Sequence, residues 1–433
     1  MATTVTQIQA SEAAIESPWK GQLTSLKAQD TVFTSLGTDL SSLSTALQSL
    51  TAFDGAFSQK QGSSSDSNLL SLTSASTTAL AGSHTIVINS LAQTSSEVTN
   101  SISNANDTLS GTVTIQGHTL NVDSSHNDTT LASLSAAINS AGIGVNASVI
   151  TDSSGSRLSL VSGTSGAAGQ LTVSSSLAGA SSGSISFQTG QLGQDASLKV
   201  DGVSVTTSSN TVSTAIPGVT FQLLASSATP VQVQITNDTT AIGTSVSSFV
   251  SAYNKLVGDL NTQEGHDASG NAEPLYGSPT VALIQEQLSS SLFTGSASGA
   301  IKNITQLGID VNNDGTLTLN ADTLNTALNS NFSDVTGFLQ NSGSFGQTMA
   351  SALNSAGAQS HNGSIYLAAQ QNTAQEAALN SNITQEDARL AAQKITLTNE
   401  LNMANQILQS IPGQLNQVNE MYSAITGYNQ SRG

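Results

Sequence analysis

Residues 19–50 read WKGQLTSLKAQDTVFTSLGTDLSSLSTALQSL. Apolar side chains fall at Trp19, Leu23, Leu26, Phe33, Leu36, Leu40, Leu43, Leu47 and Leu50, mostly by alternating steps of four and three. That spacing is the seam of a heptad helix. Asp30 stands where the seam wants an apolar residue. The step from Phe33 to Leu36 to Leu40 shifts the phase by one place, a stammer that alters local supercoiling without ending a helix. Pro18 suits a first helical turn, so the sequence predicts a helix from about Pro18 into the low fifties.

The far end repeats the pattern. Leu390, Lys394, Leu397, Leu401, Ala404, Leu408, Ile411, Leu415, Val418, Tyr422 and Ile425 step by four and three, with Lys394 as the polar intruder. Proline removes a backbone bond and crowds the preceding turn, so a kink or a break into two helices is expected at Pro412-Gly413. A helix over 372–410 would be roughly 55–60 Å long at the usual rise per residue. Neither rod can cover its own seam, and amphipathic helices draw most of their stability from packing. The two ends are therefore expected to meet, with 33–50 opposite 390–408 as intramolecular core.

Between the ends the period changes to two. Short alternating stretches such as His84–Asn89, Gly111–Gln116, Val145–Ile150, Arg157–Val161, Ser197–Val200, Val203–Val205, Val219–Leu223 and Val231–Ile235 read as strands. Asp201-Gly202 is a hairpin turn by composition. Thr130–Asn139 is a helix, closed by Ala141-Gly142. After Ile235 the helical period returns at Ile242, Val246, Phe249, Tyr253, Leu256 and Leu260, then after Pro279 at Val281, Ile284, Leu288 and Leu292. Ile309–Leu319 reads as a hairpin with its turn at Asn312–Gly315, followed by a short helix from Asp322 to Leu328.

The fold class that follows is α+β. N- and C-terminal helices pair as a coiled-coil or helical-bundle leg, and a β-rich region of one or two antiparallel lobes is inserted between them. The divisions expected are 1–66 (N-terminal helical segment), 67–96 with 190–238 (first β lobe), 97–189 (distal β lobe), 239–371 (helices and hairpin) and 372–433 (C-terminal heptads).

Composition narrows the function. The 433 residues carry 10 Lys+Arg against 28 Asp+Glu, a formal net charge of −18. A nucleic-acid binder needs clustered basic residues, and between Lys60 and Lys199 only Arg157 is basic. Without cysteine there is no disulfide, thiolate metal site or cysteine nucleophile. The opening MATTVTQIQASEAAIESPW lacks the basic and apolar regions of a signal peptide. No apolar run approaches the ~20 residues that span a bilayer, so no membrane partner is expected.

Site chemistry fails on context. Gly179-Ala-Ser-Ser-Gly183 fits G-x-S-x-G but lies in a Gly/Ser stretch without the strand and helix that a nucleophile elbow requires. Asp310-x-Asn312-x-Asp314-Gly315 copies the first half of an EF-hand loop, but the twelfth position is Ala321. The five histidines (84, 118, 126, 266 and 361) have no metal-ligand spacing. The sequons at Asn106, Asn127 and Asn237 are chance in so Asn- and Thr-rich a chain. The expectation is a protein without cofactor, metal or enzymatic activity.

Four segments then agree in order with one family. Asp201-Gly202 through Ser208-Ser-Asn-Thr-Val-Ser-Thr-Ala-Ile-Pro-Gly-Val-Thr-Phe-Gln-Leu223 resembles the flagellar filament-capping, or hook-associated protein 2, family. Leu131 through Gly166, with Ala137-Ile138-Asn139 and Gly155-Ser-Arg-Leu158, resembles the repeat shared by flagellins and hook-associated proteins. Phe249-Val-Ser-Ala-Tyr-Asn-Lys-Leu256 is similar to the capping family's helix after the β region, and Leu307–Asp310 with Asp314–Leu319 to its hairpin. Residues 1–17 hold nothing like the Gly-Ser-Gly-Leu-Asp-type opening usual in that family.

The resemblance implies a structural protein of the bacterial flagellum, exported through the flagellar type III route with the help of a chaperone. It would form a homo-oligomeric ring at the filament tip, beyond the hook–filament junction proteins, and fold and insert flagellin for elongation and motility. Leu23, Leu26, Phe33, Leu36, Leu40, Leu397, Leu401, Leu408, Leu415 and Val418 would then carry helix pairing and filament contact, with the extreme ends against other subunits. Rival readings are a hook–filament junction protein, a flagellin variant, or a surface adhesin binding host glycan or mucin through the β lobes.

Overall fold

The structure is a computed structural model and describes residues 14–126, 129–295, 299–357 and 361–427. The sequon at Asn127 lies outside the described residues. The chain forms two compact units, one from Met1–Ala52 with Gly243–Gly433 and one from Phe53–Ile242.

The helical unit begins with α1 (Glu16–Thr51), whose buried residues include Leu26, Phe33, Leu36, Leu40, Leu43, Leu47 and Leu50. These are the heptad positions, so the period alone places the face that packs. The second helix of the chain, α2 (Leu131–Ser140), belongs to the other unit. The remaining helices are α3 (Thr239–Gln263), α4 (Pro279–Leu292), α5 (Ala321–Ser330), α6 (Phe332–Gln340), α7 (Phe345–Ala356) and α8 (Ser364–Thr426). The unit's core is richer in aromatic rings than the rest of the chain. Phe338 stacks on Phe345 with centroids 5.2 Å apart, and Phe249 meets Phe345 edge-on at 6.4 Å. Both α6 and α7 lie where the sequence reading assigns no element.

Of the two outcomes expected at Pro412-Gly413, a kink or a break into two helices, the break does not occur in α8. The helix runs without a break from Ser364 to Thr426 with Pro412 inside it, so it is not two helices. Proline at 412 leaves one carbonyl of the preceding turn without its N–H. That turn is exposed, with Leu408 at 57% and Ile411 at 41%, so solvent can take the freed carbonyl and no buried group is stranded.

The strands of the β unit are β1 (Lys60–Ser64), β2 (Leu70–Ala75), β3 (Gly82–Ser90), β4 (Thr94–Thr99), β5 (Leu109–Ile115), β6 (His118–Val122), β7 (Val145–Asp152), β8 (Gly155–Ser165) and β9 (Val173–Ser175). They continue with β10 (Ala178–Gly179), β11 (Gly183–Ser184), β12 (Phe187–Gln191), β13 (Ala196–Val200), β14 (Val203–Thr207), β15 (Thr211–Ile216), β16 (Val219–Leu223) and β17 (Ser227–Asn237). A sheet ordered β1-β17-β3-β13-β14 and a second ordered β15-β16-β2 share one core, which includes Leu70, Ile86, Ile88, Leu198, Phe221, Val233 and Ile235.

A separate core joins β12-β4-β8-β7, β11-β10-β5-β6 and helix α2, through Ile102, Val113, Ile115, Leu134, Ile138, Leu158 and Leu160. All pairings in both groups are antiparallel. Helix α2 starts at a capping box: Thr130 Oγ1 accepts from the Ser133 amide, and Ser133 Oγ accepts from the Thr130 amide at 2.8 Å.

The predicted turns fall where their chemistry puts them. Asp201 (φ 51°) and Gly202 (φ 85°) join β13 to β14, the left-handed pair that a two-residue hairpin turn needs. Gly179 and Gly183 face each other across the short β10–β11 hairpin, which is no nucleophile elbow. In the helical unit, β18 (Ile309–Val311) and β19 (Leu317–Leu319) pair around the Asn312–Gly315 turn. Asp314 there accepts from the amide and hydroxyl of Thr316. Among the described residues no cluster of three His, Cys, Asp or Glu could hold a metal ion. No described helix is long and apolar enough to cross a membrane.

Candidate functional site: the helical seams

The ten seam residues divide sharply by environment. Leu26, Phe33, Leu36 and Leu40 are buried and Leu23 is half-buried. Leu397 and Leu401 are half-buried, whereas Leu408, Leu415 and Val418 are each more than half exposed. Within α8 the buried residues are Ile365, Asn372 and Leu390. Beyond Leu390 no described side chain is buried.

The contacts between α1 and α8 explain this division. Asn372 Nδ2 donates to Asp30 Oδ1 at 2.9 Å and to Gln29 Oε1 at 3.2 Å. One to two turns away, Gln22, Ser25 and Leu26 line a groove with Gln375, Ala378 and Leu379. As residue numbers fall along α1 they rise along α8, so the two helices run antiparallel. In that register the partners of 33–50 lie before 372, and residues beyond about 390 run past Glu16.

The expected pairing of 33–50 with 390–408 is therefore wrong. Heptads of equal quality occur at both ends, and periodicity fixes a face but not the register of its partner. What covers 33–50 comes from elsewhere. Helices α6 and α7 pack on α1, and Gln340 Nε2 donates to the carbonyls of Leu50 and Ala52, at 3.2 and 3.0 Å. Lys255 of α3 reaches Asp39.

Helix α3 carries the second set of contacts that hold the unit. Its buried residues Val246, Phe249, Tyr253, Leu256 and Leu260 follow the predicted period, and burial pushes the Tyr253 hydroxyl up to about 12. Asn254 docks the β18–β19 hairpin. Its Nδ2 donates to the Leu317 carbonyl at 2.7 Å, and its Oδ1 accepts from the Leu317 amide at 2.6 Å. Asn261 Nδ2 donates to the Asp314 carbonyl at 2.9 Å. Sequence reasoning passes over both asparagines and Asn372, because an amide on a helix face looks like ordinary solvated surface until a polar partner appears opposite it.

The arrangement has structural rather than reactive chemistry. It consists of a helical unit with one covered seam, one long seam left open on α8, and an inserted β unit. Against known families, the model of the flagellar hook-associated protein 2 C-terminus matches residues 193–412, and that of its N-terminus matches residues 1–95. The chain belongs to the flagellar hook-associated protein 2 family. Members of this family are structural flagellar cap proteins, not enzymes.

Two hook-associated protein 2 relatives match over nearly three quarters of the chain. The B-type flagellar hook-associated protein 2 of Pseudomonas aeruginosa is 31% identical over 352 residues, 72% of this chain and 73% of its own. The flagellar hook-associated protein 2 of Escherichia coli K12 is 28% identical over 73% of this chain and 74% of its own. In three dimensions the chain is similar to the D1-D2-D3 domains of the flagellar cap protein FliD from Escherichia coli. The TM-score is 0.58 at 28% identity, covering 79% of this chain and 99% of that one. The α+β arrangement expected from the sequence, terminal helices around an antiparallel β insertion, is the one found.

Proposed function

We propose that this chain caps the distal end of the bacterial flagellar filament, as a small homo-oligomeric ring outside the cell. There it promotes folding and insertion of exported flagellin, and through it filament elongation and motility. The observation that carries the reading is the open seam of α8. Leu408, Ile411, Leu415, Val418, Tyr422 and Ile425 are all exposed, at 41–83%, and recur at heptad spacing on a continuous helix. An apolar stripe of this length gains little as a free surface and a great deal against other helices. Filament subunits and neighbouring copies of the cap would supply those helices.

In this reading the buried residues Leu26, Phe33, Leu36 and Leu40, with half-buried Leu23, hold the leg together. Leu397, Leu401, Leu408, Leu415 and Val418 meet other chains. The β lobes form the plate over the growing end. Export by the flagellar type III route, with a chaperone on the C-terminal helix, brings the chain to the tip past the hook–filament junction proteins. Immunogold labelling of intact filaments tests the location. Gold at the free ends alone supports the cap, while gold along the shaft or at the hook end contradicts it.

A further inference from the structure

Two carboxylates share one ammonium between α1 and α3. Lys255 Nζ lies 2.7 Å from Asp39 Oδ1 and 2.9 Å from Asp259 Oδ2. Asp39 is only 4% exposed, and its second oxygen, Oδ2, is buried with no hydrogen-bond partner. Lys255 and Asp259 reach solvent, with side chains 60% and 41% exposed. The three together carry one uncompensated negative charge, and its worst-solvated atom is Asp39 Oδ2.

A buried carboxylate oxygen without a donor is unfavourable in a way that a second ion pair does not remove. A proton resolves it: on Asp39 Oδ2 it cancels the excess charge and gives that atom a hydrogen to donate to Asp259. We propose that Asp39 takes up a proton shared with Asp259 in mildly acid surroundings, and that the contact between α1 and α3 is tightest in that protonated form. Carboxyl pairs within reach of each other commonly hold one proton between them.

The charges acting on Asp39 are Lys255 and Asp259, both from α3. One turn to either side on α1 stand Ser35, Leu36, Ser42 and Leu43, none of them titratable. Helix α7 has no charged residue. Asp334, the charged residue of α6, accepts from the Ala300 amide, and Asp314 of the hairpin accepts from Thr316. On α8, Asp387 acts on Lys20, near the start of α1. Asp310 of β18, Glu286 of α4 and Glu376 of α8 are also charged, but the largest effects on Asp39 are those of its burial, Lys255 and Asp259.

Burial pushes the Asp39 carboxyl above its ordinary value, against the pull of Lys255. An acid raised by folding stabilises the fold as the pH falls towards its ordinary value near 3.9. This group's contribution therefore grows on going from pH 7 to about pH 4.5 and is weakest at neutral pH.

Thermal unfolding of the full chain between pH 7 and 4.5 tests this, with Asp39→Asn and Asp39→Ala beside the parent. Asparagine imitates the protonated acid, since its oxygen still faces Lys255 and its amide can donate to Asp259. At pH 7 the Asp39→Asn midpoint should equal or exceed the parent's, with the parent gaining on it as the pH falls. Equal losses from Asp39→Asn and Asp39→Ala, unchanged across that range, would overturn the proposal. The carboxyl carbon resonance of Asp39 in the parent gives a second readout that needs no folded variant. It should titrate above 3.9 and move down in Asp259→Asn, and titration at or below 3.9 would equally overturn it.

Discussion

Asn372 of α8 donates its side-chain amide to Asp30 of α1 across 2.9 Å, and Asp30 is the residue that interrupts the N-terminal heptads. The interruption is thus a matched polar pair set in the seam. Asn372 is 7% exposed, and a polar group at one position of an otherwise apolar seam can fix which register two helices adopt. The pair is where α1 and α8 are keyed together.

Breaking that pair from one side should cost stability. Asn372→Ala leaves the Asp30 carboxylate without this donor and is expected to destabilise the helical unit by about 1–3 kcal/mol. Asp30→Leu with Asn372→Leu should recover most of the loss while weakening the choice of register. A double-mutant cycle by chemical denaturation measures the first, and disulfide trapping between α1 and α8 at alternative offsets measures the second.

Gly346 is a packing constraint. A Cβ there would sit 2.0 Å from the Leu339 carbonyl oxygen and 2.7 Å from Thr51 Cγ2. The nearest obstacle is backbone and cannot swing aside. Gly346→Ala should therefore cost about 3 kcal/mol, the upper end for overpacking, and should loosen α7 against α6 and the end of α1. Denaturant midpoints with an unchanged slope would show that the loss is one of stability alone.

The β13–β14 turn should be sensitive to acid. Asp201 accepts from the Thr85 amide at 2.8 Å and pairs with His84 Nδ1 at 2.7 Å, contacts that hold its carboxyl below the ordinary value. A depressed carboxyl stabilises the fold above its unfolded value near 3.9, and that contribution is lost as the pH falls through its folded value. Hydrogen exchange at the Thr85 amide, corrected for intrinsic rate, should lose protection on going from pH 5 to pH 2.5. In Asp201→Ala the protection should be low throughout and insensitive to pH over that range.

If the open seam of α8 meets other chains as proposed, substitutions there should separate folding from assembly. Leu408→Glu and Leu415→Glu alter side chains that are 57% and 55% exposed, so melting of the isolated protein should move by no more than about 0.5 kcal/mol. Filament growth in cells carrying these variants should fail. Leu36→Glu, at a position 1% exposed, should instead unfold the helical unit.

Much of this was legible in the residues. Heptad spacing placed the buried face of α1, the left-handed preference of Asp-Gly placed the β13–β14 turn, and Thr130 marked the start of α2. The long-range choices were not legible. Which helix covers Leu43, Leu47 and Leu50 depends on α6 and α7, whose short segments around Phe338 and Phe345 are too brief for periodicity to stand out. The strands Lys60–Ser64 and Thr94–Thr99 are Ser/Thr-rich and nearly free of large apolar residues, so they exist through pairing with β17 and β8 rather than through their own pattern. Along the seams of α1 and α8 the periodicity was equally clear over buried and exposed positions, because spacing marks an apolar face and not what covers it.

Deleting the gene and comparing flagellin on the cell with flagellin in the medium tests the central claim most directly. Capping predicts short or missing filaments with monomeric flagellin released into the medium, both restored by the intact gene. Filaments of full length with normal swimming, in a strain with no second capping gene, would contradict it.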